Sequence, residues 1–283
     1  MSKIYTDDLC VFFLTTLKEY ESGELSRAIN YFLENTTNCK YKFDLYIFLD
    51  TFPNKRVRKI YNELGRFHKH ENVNQVKTIC NHIPGHLNLY MRSLESKIDL
   101  SELELGRSNG VNYHFYITLY FLLETKYKNF MLLETDTQPL TNTWFDVIHD
   151  YAINNDFCIA GSTYKGSQRE FVSQTYYSGH LNGVGLYKNK KETLVLLKKS
   201  EKFIKNELLY DSQKRSNNKK YKEFMNYDVA IYLYAEKQNI LNYLKDTPYF
   251  TNISTFCDRH ITITKVLKEF PDTQIVHRKD LYI

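Results

Sequence analysis

Through the first 140 residues, short apolar runs alternate with segments of helical hydrophobic spacing, and this alternation most narrows the folds open to the chain. "LCVFFL" at residues 9–14 reads as a buried strand. Residues 22–34 place Leu25, Ala28, Ile29, Phe32 and Leu33 on one helix face. "DLYIFLDT" at 44–51 is a second strand closed by Asp50, Thr51 and Pro53; a helix over 55–64 and a third strand, "NQVKTICNHIP" at 74–84, follow. A helix over 112–126 leads into a fourth strand at 130–134. Consecutive strands separated by helices pair in parallel through right-handed crossovers. The spacing therefore predicts an α/β fold with a mixed, mainly parallel central sheet flanked by helices.

The second half is less regular. It reads as a helix over 144–154, a strand over 157–162, a two-glycine strand over 180–187, helices over 191–209 and 226–238, and a last strand with a basic tail over 273–280. Antiparallel pairing is expected here. No repeat or low-complexity linker divides the chain, so one domain over 1–283 is expected, with a nucleotide-binding half near 1–140 and an acceptor-binding half near 141–283.

Composition excludes several classes. A hydrophobic fraction of 42% with 25% charged residues is that of a globular protein with a sizeable core. The net charge of +5 suits an anionic small ligand but is no nucleic-acid footprint. Its densest runs, "KRVRK" at 55–59 and "KRSNNKKYK" at 214–222, read as a solvated helix face and a loop. The five cysteines form no CxxC pair, and Cys10, Cys80 and Cys158 lie in apolar runs, which predicts buried free thiols in a reducing compartment. With no signal peptide or membrane-spanning run in sight, a cytoplasmic location is expected.

The chemistry concentrates in "NFMLLETDTQPL" at 129–140, where an apolar strand ends in Glu134 and Asp136. Ligands of open α/β sheets bind at the carboxyl ends of strands. Flanking Thr135 in an extended segment, the two acids point to one side. Two hard oxygen donors suit Mg²⁺ or Mn²⁺, which keeps open positions for substrate phosphates. A solvated surface turn is the plain alternative for this tripeptide.

Four segments in order, "FMLLETDTQPLTNTWFDVI" (130–148), "SGHLNGVGLY" (178–187), "NYDVAIY" (226–232) and "VHRKD" (276–280), resemble glycosyltransferases of the GT-A (Rossmann-like) fold, most of all a group found in large DNA viruses, algae and plants. The resemblance spans about residues 110–280, and Thr135 stands where that group often has proline. It implies an enzyme that moves a sugar from a nucleotide-diphosphate donor to a glycan or other hydroxyl acceptor, with inversion favoured by an available base and retention left open. Asp136 is then the metal ligand, Glu134 faces the metal or ribose, and His277 closes the metal shell. Arg278 and Lys279 offset charge on the departing diphosphate. His180 and Asn182 bind the donor, although a packing bulge also explains the glycines between them. Asp228 is the general base, with Asp258 a second candidate; a helix N-cap is the rival role for Asp228. Thr15, Thr16 and Asp50 cradle the nucleotide; the polar loop with Arg107 and Asn112 offers further contacts, although a plain turn is the favoured reading of that segment. Two other classes share these acids: a non-catalytic glycan- or nucleotide-binding module, and a metal-dependent phosphohydrolase, which calls for a richer acidic cluster.

Overall fold

The computed structural model describes residues 3–52, 55–88, 104–166, 179–214, 226–253 and 261–278. The chain opens with β1 (Ile4–Tyr5), β2 (Leu9–Thr15), α1 (Leu17–Glu21), α2 (Glu24–Glu34), β3 (Tyr41–Leu49), α3 (Val57–Gly65) and β4 (Val73–Cys80). Helix α4 (Asn109–Leu123) leads to β5 (Asn129–Leu133) and the short β6 (Thr137–Pro139). There follow α5 (Trp144–Asn154), β7 (Ile159–Gly161), β8 (Gly185–Lys188), α6 (Lys191–Lys214) and α7 (Tyr227–Lys237). The last elements are β9 (Leu244–Asp246), β10 (Phe250–Asn252), α8 (Ile263–Glu269) and β11 (Ile275–His277).

The main sheet has the order β4-β3-β2-β5-β8-β7-β9, with β1 on the first two residues of β3. Every neighbouring pair is parallel except those of β8, which runs against both β5 and β7. Side chains along each strand alternate between two cores. Leu9, Val11, Phe13, Leu45, Ile47, Met131 and Leu133 face α2, α3 and α5. Cys10, Phe12, Tyr46, Phe48, Phe130 and Leu132 face α4, α6 and α7. That period of two, apolar on both faces, is what a helix-covered parallel strand requires.

Helix α4 shows packing prevailing over propensity. It begins Asn-Gly-Val-Asn-Tyr-His, poor helix formers that each cost up to ~1 kcal/mol against alanine. Burial of Phe115, Tyr116, Leu119 and Leu122 contributes ~1.5–3 kcal/mol apiece and outweighs them. Between α1 and α2 the chain turns at Gly23, whose φ of 78° lies in the left-handed region that favours glycine.

The expected helices and strands occur, with boundaries moved by a few residues. The strand expected over 180–187 is confined to Gly185–Lys188. Before it, Asn182 Oδ1 accepts from Val184 N at 3.0 Å, and this side-chain turn keeps the backbone out of the ladder. Elements β1, α1, β6, β9, β10 and α8 go beyond the expected set; none exceeds seven residues, too short for a periodic pattern. Cys10 and Cys158 are buried free thiols, as is Cys39, whereas Cys80 is half-buried. In the run at 55–59 every basic residue is exposed, while that at 214–222 lies outside the described side chains. Among the described residues no helix is long and apolar enough to cross a membrane.

Candidate functional site

Strands β3 and β4 lie to one side of β2, and β5 lies to the other. The chain thus leaves β2 and β5 in opposite directions, which opens a crevice at their carboxyl ends. Thr15 ends β2, and Glu134 follows the last residue of β5. A tight turn succeeds it, in which Thr137 N donates to the Glu134 carbonyl at 3.2 Å. The turn delivers the chain to β6, which belongs to a second sheet of order β10-β11-β6.

That small sheet brings in the third member of the site. β11 runs antiparallel to β6, with His277 opposite Thr137, and Arg278 N donates to the Asp136 carbonyl at 3.1 Å. The His277 imidazole is thereby fixed with Nε2 3.0 Å from Asp136 Oδ1 and 3.4 Å from Glu134 Oε2. One ligand atom from each of Glu134, Asp136 and His277 falls within 4.8 Å of the others, and it is the one such group of three or more among the described residues. Two unit negative charges no more than 4.8 Å apart repel by at least ~3 kcal/mol at an effective dielectric near 20. Two carboxylates and an imidazole nitrogen facing inward, with this repulsion to relieve, fit a divalent cation.

Asp228 lies in the first turn of α7, where its Oδ1 accepts from Val229 N at 2.8 Å. Its other oxygen is 3.6 Å from His180 Nε2. The helix cap itself is Asn226, so Asp228 is not the N-cap residue. A small cavity runs between Asp228, Asn182, Leu181 and Ile231. A second one joins Asn182 to Ser162, Asn252 and His277, so Asn182 lines the space on both sides.

The glycines beside Asn182 make room for protein. A Cβ on Gly183 would sit 1.9 Å from Tyr227 Oη, and one on Gly185 would sit 2.5 Å from the Ala160 carbonyl. Tyr227 stacks on Phe115 with ring centres 3.6 Å apart, and its hydroxyl reaches Glu134 Oε1 at 3.5 Å. Burial first, then the nearby Glu134 charge, raises the Tyr227 phenol well above its ordinary pKa, so it is a permanent O–H donor toward that carboxylate.

The nucleotide-side candidates are engaged with protein atoms. Asp50 accepts from Leu17 N at 2.8 Å, Thr51 N at 2.7 Å and Asn88 Nδ2 at 2.6 Å. Thr15 Oγ1 donates to Glu19 at 3.1 Å, and Thr16 forms a capping box with the same residue. Asn112 is buried and donates to the Leu105 carbonyl. Lys279, Asp258 and the Arg107 side chain lie outside the described residues. Sequence reasoning missed Glu19, Tyr227 and His114. His114 Nε2 lies 3.0 Å from the Thr15 carbonyl and 3.2 Å from that of Phe48, pinning α4 under the strand ends. Of the three, only Glu19 carried a signal, the Thr16-x-x-Glu19 capping pattern.

No protein-family model matches the sequence. No curated protein matches it significantly. Solved structures do match. The galactosyltransferase LgtC, in complex with donor and acceptor sugar analogs, aligns with 96% of this chain and 87% of its own at a TM-score of 0.50 and 12% identity. The architecture is the GT-A fold. Mouse xyloside xylosyltransferase 1, in its apo form, aligns with 95% of this chain and 97% of its own at a TM-score of 0.49 and 12% identity. At such identity the likeness is one of fold, and this GT-A chain's chemistry has to be argued from its own side chains.

Proposed function

We propose that this GT-A chain is a metal-dependent glycosyltransferase that moves a sugar from a nucleotide-diphosphate donor to a hydroxyl of a glycan or other acceptor. The observation that carries the reading is the meeting of Glu134, Asp136 and His277 at the switch point of the sheet. The fold shared with LgtC, a galactosyltransferase solved with donor and acceptor analogs, supports it. We read residues 1–283 as one domain, with donor-side and acceptor-side halves meeting near residue 140, of the viral, algal and plant group and acting in the cytoplasm of the cell that makes it.

Asp136 and His277 would hold the cation, with Glu134 as third ligand or as a partner of the ribose. An imidazole beside two carboxylates favours Mn²⁺ over Mg²⁺, which prefers an all-oxygen shell. When bound, the cation offsets the charge on the leaving diphosphate. Arg278 and Lys279, which follow His277 in the sequence, would add positive charge against the leaving diphosphate. Thr15 and Asp50, at the ends of β2 and β3, border the base and ribose. Asn182 and His180 bind donor sugar hydroxyls.

Asp228 is the general base. Asp228 Oδ2, the oxygen not bonded to Val229 N, takes the acceptor O–H proton as the acceptor oxygen bonds to the anomeric carbon. The bond from that carbon to the diphosphate oxygen breaks, and its electron pair leaves with the diphosphate. His180 Nε2 lies 3.6 Å from Asp228 Oδ2. Attack opposite the leaving group inverts the anomeric centre.

The test is release of nucleoside diphosphate from a panel of nucleotide sugars, with Mn²⁺ and with EDTA. Release is expected with Mn²⁺ only, and its loss in Asp136→Asn is expected alongside. Release that survives EDTA sinks the metal-dependent reading, and no release from any donor favours a binding module. Proton NMR of the product anomer is expected to show inversion; retention removes Asp228 as base and leaves the transferase class standing.

A further inference from the structure

Glu19 touches no expected ligand, yet it joins the two strand ends that frame the site. Its Oε2 belongs to the capping box of α1, accepting from Thr16 N at 2.8 Å, and also from Thr15 Oγ1 at 3.1 Å. Capping α1 accounts for that oxygen. The other oxygen has a different partner: Oε1 accepts from Thr135 Oγ1 at 2.6 Å. Thr135 is the buried residue between Glu134 and Asp136, 116 positions further along the chain.

The position of this bond is telling. β2 and β5 are parallel neighbours whose last described pair is Phe13 with Leu133. Beyond that pair the ladder stops and the chains diverge, β2 into α1 and β5 into the acid-bearing turn. Backbone pairing therefore does not hold the turn to β2, whereas a carboxylate accepting a short hydrogen bond does. Thr135, between Glu134 and Asp136, is a central residue of the turn that Thr137 N closes onto the Glu134 carbonyl at 3.2 Å. Its anchorage thus fixes the direction in which both acids point.

We infer that Glu19 is a positioning residue for the cation site: through Thr135 it holds the Glu134–Asp136 turn against β2 so that both carboxylates stay aimed at His277. The inference rests on the reading of that trio as a cation site. Partners that orient metal-ligating carboxylates typically change metal affinity by ~10–100-fold when removed.

Mn²⁺ titration followed by electron paramagnetic resonance tests this without turnover. Thr135→Val has nearly the wild-type shape and leaves the α1 capping box intact. It is expected to raise the Mn²⁺ dissociation constant ~10–100-fold while the melting temperature falls by no more than ~4 °C, the share of one lost hydrogen bond. Thr135→Ser, which restores the hydroxyl, is expected to return the constant to within ~3-fold of wild type on the same grounds. Glu19→Gln, with one acceptor oxygen left for two tasks, is expected to weaken Mn²⁺ as Thr135→Val does. Wild-type affinity in both Thr135→Val and Glu19→Gln overturns the inference while leaving the cation site in place. A Thr135→Ser variant as weak as Thr135→Val also overturns it, since the hydroxyl would then not be the operative group. A wild-type chain that binds no Mn²⁺ removes the cation site itself, and the inference falls with it.

Discussion

Two sets of carboxylates sit on the same sheet and live by different rules. Asp44, the fourth residue of β3, is fully buried about 17 Å from that strand's carboxyl end. It accepts from Asn74 Nδ2 at 2.8 Å, Gln75 Nε2 at 2.6 Å, Tyr5 Oη at 3.0 Å and the Tyr127 hydroxyl. Its charge is met by neutral donors that the fold supplies. Glu134 and Asp136, at the ligand end, converge with the His277 imidazole, and the Tyr227 hydroxyl reaches Glu134. A carboxylate enclosed by donors deep in the fold holds the protein together, whereas carboxylates that converge with an imidazole at a strand end have the donor set of a cation site.

The contrast has measurable consequences. The largest is expected for Asp136→Ala: metal-dependent transfer falls by ~10²–10³-fold or more while the melting temperature moves by no more than ~2 °C. Turnover near wild type in that variant would erase the distinction between the two sets. Asp44→Ala is expected to do the reverse. It strands four donors at ~1 kcal/mol each, so the melting temperature falls by ~10 °C, while the folded fraction keeps wild-type Mn²⁺ affinity. Calorimetry and metal titration on the same sample separate the two outcomes.

Gly183→Ala sharpens the boundary between scaffold and site. The added methyl meets Tyr227 Oη at 1.9 Å, and forced repacking is expected to cost ~1–3 kcal/mol. Because Tyr227 also reaches Glu134, transfer is expected to fall with stability; a loss of stability alone would assign Tyr227 to the scaffold. His277→Ala is expected to weaken Mn²⁺ by at least ~10-fold in the same titration, and an unchanged curve would take the imidazole out of the shell.

The smallest effect concerns a polar group of the scaffold kind. Burial holds the His114 imidazole below its ordinary pKa of 6.5. Nε2–H donates to the carbonyls of Thr15 and Phe48, and Nδ1 accepts from Asn81 Nδ2 at 2.8 Å. The unfolded chain therefore takes up this proton at higher pH than the folded one. Stability is fully present above pH 6.5 and is lost as the pH falls from there toward the folded value, by at most ~1.4 kcal/mol per pH unit from this group. Half-buried His70, also lowered by burial, adds a loss of the same sign. Denaturant melts between pH 7.5 and 5 are expected to show the decline, and in His114→Gln a shallower one.

The sequence alone determined the elements long enough to show a period and the place where chemistry had to sit. Alternation along β2, the five-residue face of α2, and two acids at the close of an apolar strand are local properties of pleat, helix turn and strand end, so neighbouring residues reveal them. Only the tertiary structure decided which distant groups meet. His277 reaches Asp136 across 141 positions because β11 pairs with a three-residue β6 that no pattern announces. Gly183 is bare because a ring from α7 lies on it, and Glu19 holds Thr135 because β2 and β5 are neighbours. Such meetings depend on strand order and crossover path, which are set by packing of the whole chain rather than by the residues on either side.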